Sequence, residues 1–542
     1  SKPNMPFAYL QGGTSLQRVR ADGTNLETLT LPTGLTLHAT RRPRWAVFGK
    51  YVLMVNSPSW NVVINPYDED SVSSMSPAPP SVAPTVAAGS STGLTGVYYV
   101  RITFGVKSTK GKLISESPMG PASAASASLS NQSLNVTNIP TSSESSINTR
   151  RVYRTLTGGT EYFWWLDLDG NTATSIDRGD SDESIAANPA PLDLGNPPGT
   201  FGTGTRMELL TTWKGRLWGR AGGLTIADLD NLRWSEIRKH YAWPSINELP
   251  IPPVGFDSFG ITALIPRRDV LGIAKRNSLH IITSEDPLSG QRRQVAPVGC
   301  VSHESVIVLD DTAWFLSTEG IYQWDNSGVR NISEPKVHTW FTTDDVFERP
   351  SFTDAVGFYH QGRRSLIWLL PATGQATLNR WVEYYPKQDI WLGPHLTAAF
   401  TPTYALGLFD GDSQFLPILG SSNSNLWVEQ TTRTDATATA IDFDVTEQYQ
   451  HAGTPDIDKY WGELTVMTEA EAAGTLTVTP SVGALNVAAG TAISHDLTLL
   501  RERLRRIGTG RYMRLRFREN TAGRDITLHG YEVSPVHELG RR

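Results

Sequence analysis

The densest set of groups that could do chemistry is acidic. Asp167, Asp169, Asp177, Asp180, Asp182 and Glu183 fall within seventeen positions. Paired carboxylates can work as general acid and base on a glycosidic bond, and aspartate-rich loops can hold calcium. The spacing around Asp177-Arg-Gly-Asp180 is not that of a calcium loop, and a hydrated turn accounts for it better. The Arg-Gly-Asp tripeptide is too short to signal adhesion. Gly199, Gly202 and Gly204 are spaced like a phosphate loop, but no helix follows to present its N-terminus. The histidines are scattered without metal-ligand spacing, and no serine sits in a nucleophile elbow. Sialidase-type Asp boxes are absent as well. Cys300 has no partner for a disulfide, and its apolar neighbours favour a buried, inert thiol. No catalytic, cofactor or metal set is expected, so the chain reads as a non-enzyme.

The second concentration is basic. Arg501, Arg503, Arg505 and Arg506 surround Leu500, Leu504 and Ile507, which would share one face of a helix. Arg514, Arg516 and Arg518 then alternate with Met513, Leu515 and Phe517, which predicts a strand with an arginine face. These seven arginines are candidates for an oligomer or adaptor interface, because arginine is enriched there. A solvated or internally paired face and contact with DNA are the alternatives.

The elements that must position these groups are strands. Of 542 residues, 47 are glycine and 34 proline, with 16 tryptophans, and the net charge is −6. That is a turn-rich β composition and too weakly charged for a general nucleic-acid binder. No apolar run approaches the ~18 residues of a membrane span, and no signal peptide is evident. Asn131, Asn135 and Asn331 head glycosylation tripeptides, read as chance.

Residues 261–341 carry the pattern most clearly. Ser305-Val-Ile-Val-Leu309, Thr312-Ala-Trp-Phe-Leu316 and Ile321-Tyr-Gln-Trp324 are short apolar runs closed by Asp310-Asp311, Gly320 and Asp325. Tight turns between such runs predict an antiparallel meander, with no comparable helical period. Meanders stacked radially make propeller blades. Trp324-Asp325 alone does not identify WD repeats.

Composition shifts at Ser76-Pro-Ala-Pro-Pro80 and stays Pro, Ala, Ser and Gly to Gly93, a linker signature. Gly96-Val-Tyr-Tyr-Val-Arg-Ile-Thr-Phe104 then alternates strictly, and Arg150-Arg-Val-Tyr-Arg-Thr155 and Tyr162-Phe-Trp-Trp-Leu166 follow. A second linker spans residues 188–204. The expected class is all-β: a β-propeller platform, an inserted β-sandwich of immunoglobulin or fibronectin type III kind, and a C-terminal β-rich unit. The divisions are 1–76 for the first propeller strands, 77–195 for the insert, and 196–440 for the propeller body. Residues 441–542 form a sandwich-like unit abutting or completing it. Limited proteolysis should cut first near Gly89 or Pro197.

Arg150-Arg-Val-Tyr-Arg-Thr155 with Gly158-Gly159 resembles the inserted modules of phage tail proteins. The succession Trp213-Lys-Gly-Arg-Leu-Trp218, Gly299-Cys-Val-Ser302 and Trp314-Phe-Leu-Ser-Thr-Glu-Gly-Ile-Tyr-Gln-Trp-Asp325 is similar to the tail hub, or nozzle, of short-tailed phages. The likeness spans most of the chain, and its motifs are structural. It implies a virion tail protein assembled in the host bacterial cytoplasm. The subunit would form a hexameric ring beneath an adaptor, carry fibres or spikes, and enclose the channel for DNA ejection without reading its sequence. The rival readings are a propeller-based carbohydrate-active enzyme and a receptor- or glycan-binding protein of the tail tip.

Overall fold

The computed structural model describes residues 7–20, 26–56, 61–188, 206–222, 229–252, 260–287, 292–343, 345–396, 401–409, 415–421, 426–428, 443–471, 473–485, 487–520, 526 and 528–539. The class is all-β, with 51% of residues in strands and 6% in helices. Many small sheets carry it, all with antiparallel neighbours. Two compact units divide at Val428 and Glu429.

In the first unit, one meander follows another. A three-stranded sheet opens the chain (Phe7–Gly12, Ser15–Arg20, Glu27–Leu29). Four-stranded sheets begin at Arg44–Phe48, Arg206–Trp213, Ala263–Pro266, Ile307–Leu309 and Val356–His360, and a three-stranded sheet begins at Pro402–Phe409. Each adds its strands in sequence order with antiparallel neighbours, and most of the connections are too short for a parallel crossover. Asp310 and Asp311 adopt left-handed backbone (φ 47° and 64°), the two positive φ values of a twist-matched hairpin turn.

Consecutive sheets share cores. Leu209, Trp218 and Trp234 of one meander pack with Leu264, Leu271 and Ile273 of the next. Ile265 and Leu279 then meet Phe315 and Trp324. A Cβ on Gly272 would lie 2.6 Å from the Trp324 ring, so glycine is required where that indole crosses the strand. Leu316 and Ile321 join Trp368 and Leu370 in the following core. Residues 261–341 end in the helix Glu334–Thr342, which the strand pattern did not announce. It follows Ser333, places Pro335 in its first turn, where a missing N–H costs nothing, and buries Val337 and Phe341.

Between the second and third meanders, in chain order, lie further sheets built from residues 85–178. One sheet has the order Leu113–Glu116, Val100–Lys107, Thr149–Thr155, Tyr162–Asp169; another has Ile176–Arg178, Leu134–Thr137, Thr85–Ala88. Both contribute to one core, which includes Val100, Ile102, Leu134, Val136, Val152 and Trp165. Two expectations are corrected here. The first linker does not run to Gly93: Thr85–Ala88 pairs with Leu134–Thr137, and the Gly89 amide donates to the Ser133 carbonyl at 2.8 Å. Small side chains suit that edge, since a Cβ on Gly89 would strike the Asp177 carboxylate. The run from Gly96 to Phe104 is also not one alternating strand. Gly96 takes φ 115°, the ladder breaks at residues 97–99, and Val100–Lys107 is buried on both faces because a second core covers it. The second linker lies mostly outside the described residues, as do Pro197 and the glycines from 199 to 204.

The second unit contains the sheet Phe443–Thr446, Tyr512–Glu519, Thr475–Gly483, Ile493–Asp496 and the sheet Arg501–Gly510, Lys459–Thr468, Leu528–Glu538. Leu464, Val466, Leu476, Val478, Leu515 and Phe517 form the shared core.

Candidate functional site

The first strands of several meanders meet at one place. Thr211, Leu264, His303, Glu304, Val356 and Tyr404 help line a cavity of about 230 Å³. They come from Arg206–Trp213, Ala263–Pro266, the 3-10 turn His303–Ser305, Val356–His360 and Pro402–Phe409.

His303 and Glu304 of the cavity's lining face polar groups of neighbouring strands, and a set of buried charges lies around them. The Leu264 amide donates to His303 Nδ1 at 3.3 Å. That bond ties the 3-10 turn at His303 to the strand Ala263–Pro266. Burial pulls the His303 pKa down. Glu304 Oε1 lies 3.2 Å from Arg44 Nε, and Arg44 Nη1 donates to the Glu208 carbonyl at 3.0 Å. Arg220 pairs with the Glu208 carboxylate. Arg42 donates to the Asp354 carbonyl at 2.7 Å, and burial lowers its pKa. Burial also pushes the Tyr404 phenol up. These contacts join residues far apart in the chain, so the arrangement serves as a cross-brace between strands. Sequence reasoning missed Arg44, His303 and Glu304. The available signal was a polar His-Glu pair just ahead of the apolar run at Val306.

The acidic cluster at residues 167–183 is divided among cations and donors rather than gathered. Asp167 accepts from Arg151 Nε at 3.0 Å and Trp164 Nε1 at 2.8 Å, and Lys107 lies 3.0 Å away. Asp169 binds the same lysine at 2.9 Å. The Ser133 hydroxyl and the Ser90 amide and hydroxyl hold the Asp177 carboxyl below its ordinary range. Asp180 accepts from Trp165 Nε1 at 2.8 Å, and Asp182 from Arg154 at 2.7 Å. Glu183 is exposed in the short helix Asp182–Ala186. Among the described residues, no group of three or more His, Cys, Asp or Glu side chains could hold a metal ion. Cys300 is buried, donates to the Ser302 carbonyl at 3.0 Å, and has its pKa pushed up to about 12 by burial.

The basic tract is strand throughout, which corrects the expected helix at 501–507. Arg501–Gly510 pairs with Lys459–Thr468, so Glu502 and Leu504 turn toward the core while Arg501 and Arg503 remain exposed. Ladder pairing overrides a local apolar spacing, and Gly508 and Gly510 are poor helix formers. Arg501 lies 3.2 Å from Glu532, and Arg503 pairs with Glu463. The side chains of Arg505 and Arg506 lie outside the described residues. On Tyr512–Glu519, Arg514 stacks over Tyr449 (4.7 Å to the ring centre), and Arg516 Nε donates to Asp444 at 2.7 Å. Arg518 shares that exposed face, also beside Asp444.

One triad-like alignment escaped the sequence reading. His495 lies 2.9 Å from Thr468 Oγ1 through Nε2, and 2.9 Å from Glu502 through Nδ1. Thr468 is 1% exposed and its hydroxyl lies 3.3 Å from the Leu499 carbonyl, so a substrate has no approach to it.

No protein-family model matches the chain, and no curated protein does. Among solved structures, a chain of the mitotic checkpoint complex aligns at 10% identity and TM-score 0.29, over 71% of this chain and 88% of that one. The extracellular domain of a putative one-component system from B. thetaiotaomicron aligns at 9% identity and TM-score 0.24, over 79% of this chain and 51% of that one. At these TM-scores neither likeness carries an argument. No helix among the described residues is long and apolar enough to cross a membrane.

Proposed function

We propose that this chain is a structural subunit of a phage tail, a β-propeller platform bearing an immunoglobulin- or fibronectin-like module. In this reading copies form a ring, six by resemblance, that meets an adaptor and fibres or spikes and encloses the path of DNA. The observation that carries the proposal is one continuous core. Phe48, Leu53 and Val63 of the second meander, Phe104, Val106 and Ile114 of the module, and Met207, Leu217 and Trp243 of the third meander pack together. A module fused into two meanders is mounted rather than tethered, which suits a part that transmits load or holds a partner at a fixed position. The small braced cavity fits the same reading.

The test is reversal of Arg514→Glu and Arg516→Glu, read by assembly and by DNA binding. The reading predicts loss of ring or tail assembly with the fold intact. Intact assembly with altered salt-dependent DNA binding would move these arginines to the channel wall. No change in either would reduce them to internal partners of Asp444 and Tyr449.

A further inference from the structure

The three-stranded sheet of the second unit has edges of opposite charge. Arg501–Gly510 carries four arginines against one glutamate. Leu528–Glu538 carries two glutamates and neither lysine nor arginine. Both pair with the middle strand Lys459–Thr468 and, among the described residues, neither has a ladder partner on its outer side. Leu528–Glu538 is eleven residues long and largely exposed, Val536 included, and Leu539 just beyond it is exposed as well. An edge of that length is a template for another strand.

We propose that the acidic edge strand Leu528–Glu538 of one copy docks against the basic edge strand Arg501–Gly510 of a second copy, continuing the sheet between them. This rests on the ring reading above and names its contact. Each edge is antiparallel to the middle strand, so the two edges run parallel to one another. A second copy can therefore add its basic edge without being flipped, which is a head-to-tail contact. Such contacts generate closed rings or open filaments, never two-fold dimers. The internal Arg501–Glu532 pair does not oppose this. Both side chains are more than half exposed, and surface pairs of that kind exchange partners at little cost. Pro535 offers no donor, so the new ladder concentrates on residues 528–533.

The register supplies a clean test. Thr465 faces Arg503 on one side and Glu532 on the other, which sets those two residues two strand spacings apart, about 9.6 Å. A disulfide does not span more than ~7 Å between Cα atoms, so cysteines at these positions cannot bridge within one chain. Cys300 is buried and does not compete. The experiment uses the full chain with Arg503→Cys combined with Glu532→Cys, and Arg503→Cys combined with Ser534→Cys to cover a two-residue register step between parallel strands. Mild oxidation is followed by non-reducing electrophoresis, with light scattering on the unsubstituted chain. Covalent multiples beyond the dimer, reversed by dithiothreitol and lost from each single variant, are expected. Rings in light scattering without cross-links in either pair would overturn this contact and leave the ring reading standing. Monomers throughout would overturn both. Dimers from a single variant would show a two-fold contact and overturn the head-to-tail one.

Discussion

The ammonium of Lys275, wholly buried, sits 2.7 Å from the carboxylate of Asp230. The same carboxylate oxygen accepts the Gly260 amide at 2.6 Å, so one acid ties the third meander to the approach of the fourth. Removing one partner of a buried pair leaves an uncompensated charge and costs about 3–5 kcal/mol. Lys275→Met is therefore expected to lower the denaturant midpoint strongly. Lys275→Met with Asp230→Asn, which keeps an acceptor for Gly260, should recover much of the loss. An additive double variant would contradict the pairing.

Arg154 does the same work beside the core formed by Val100, Val152 and Trp165. It is fully buried, bonds Asp182 and the Asp180 carbonyl at 2.7 Å each, and lies between the rings of Tyr98 (4.8 Å) and Trp165 (5.4 Å). Arg154→Lys keeps the charge but loses the fork and the stacking. Destabilisation by about 2 kcal/mol or more is expected, of the size reported for desolvated cation–π contacts. Tryptophan fluorescence during urea unfolding measures it, and an unchanged midpoint would show that charge alone suffices.

His240 makes the fold acid-sensitive. It is buried beside Phe48, Tyr51 and Tyr241, and burial lowers its pKa to about 3. The unfolded chain takes up the proton near the ordinary value of about 6.5 and the folded chain does not. The ring's contribution is thus fully present above pH 6.5 and lost as pH falls from there toward 3. Between pH 7 and pH 5 the loss is about 2 kcal/mol at 1.36 kcal/mol per unit. Urea midpoints across that range should slope less in His240→Phe than in the parent, and equal slopes would exonerate this histidine.

The meander was legible because its turns are. Asp310-Asp311, Gly320 and Lys214-Gly215 can each adopt the left-handed backbone a tight hairpin needs, and each lies between β-rich runs. The tract at 501–507 misled because its apolar spacing fits a helix, while the strand is selected by Lys459–Thr468, some forty residues earlier. Thr85–Ala88 was hidden by its small residues, which pack only because Leu134–Thr137 supplies the ladder. The cavity could not be read at all. Arg44, Glu208, His303, Glu304 and Tyr404 are distant in the chain, and only the convergence of first strands brings them together.

Native mass spectrometry of the purified full chain, with electron-microscopic class averages of the same sample, tests the central claim most directly. The account predicts one closed cyclic species, six-fold by resemblance, with an open axis and the module core at Phe104 and Trp243 rigid in every copy. A chain that stays monomeric at every concentration, or a two-fold dimer with no axial opening, would contradict it.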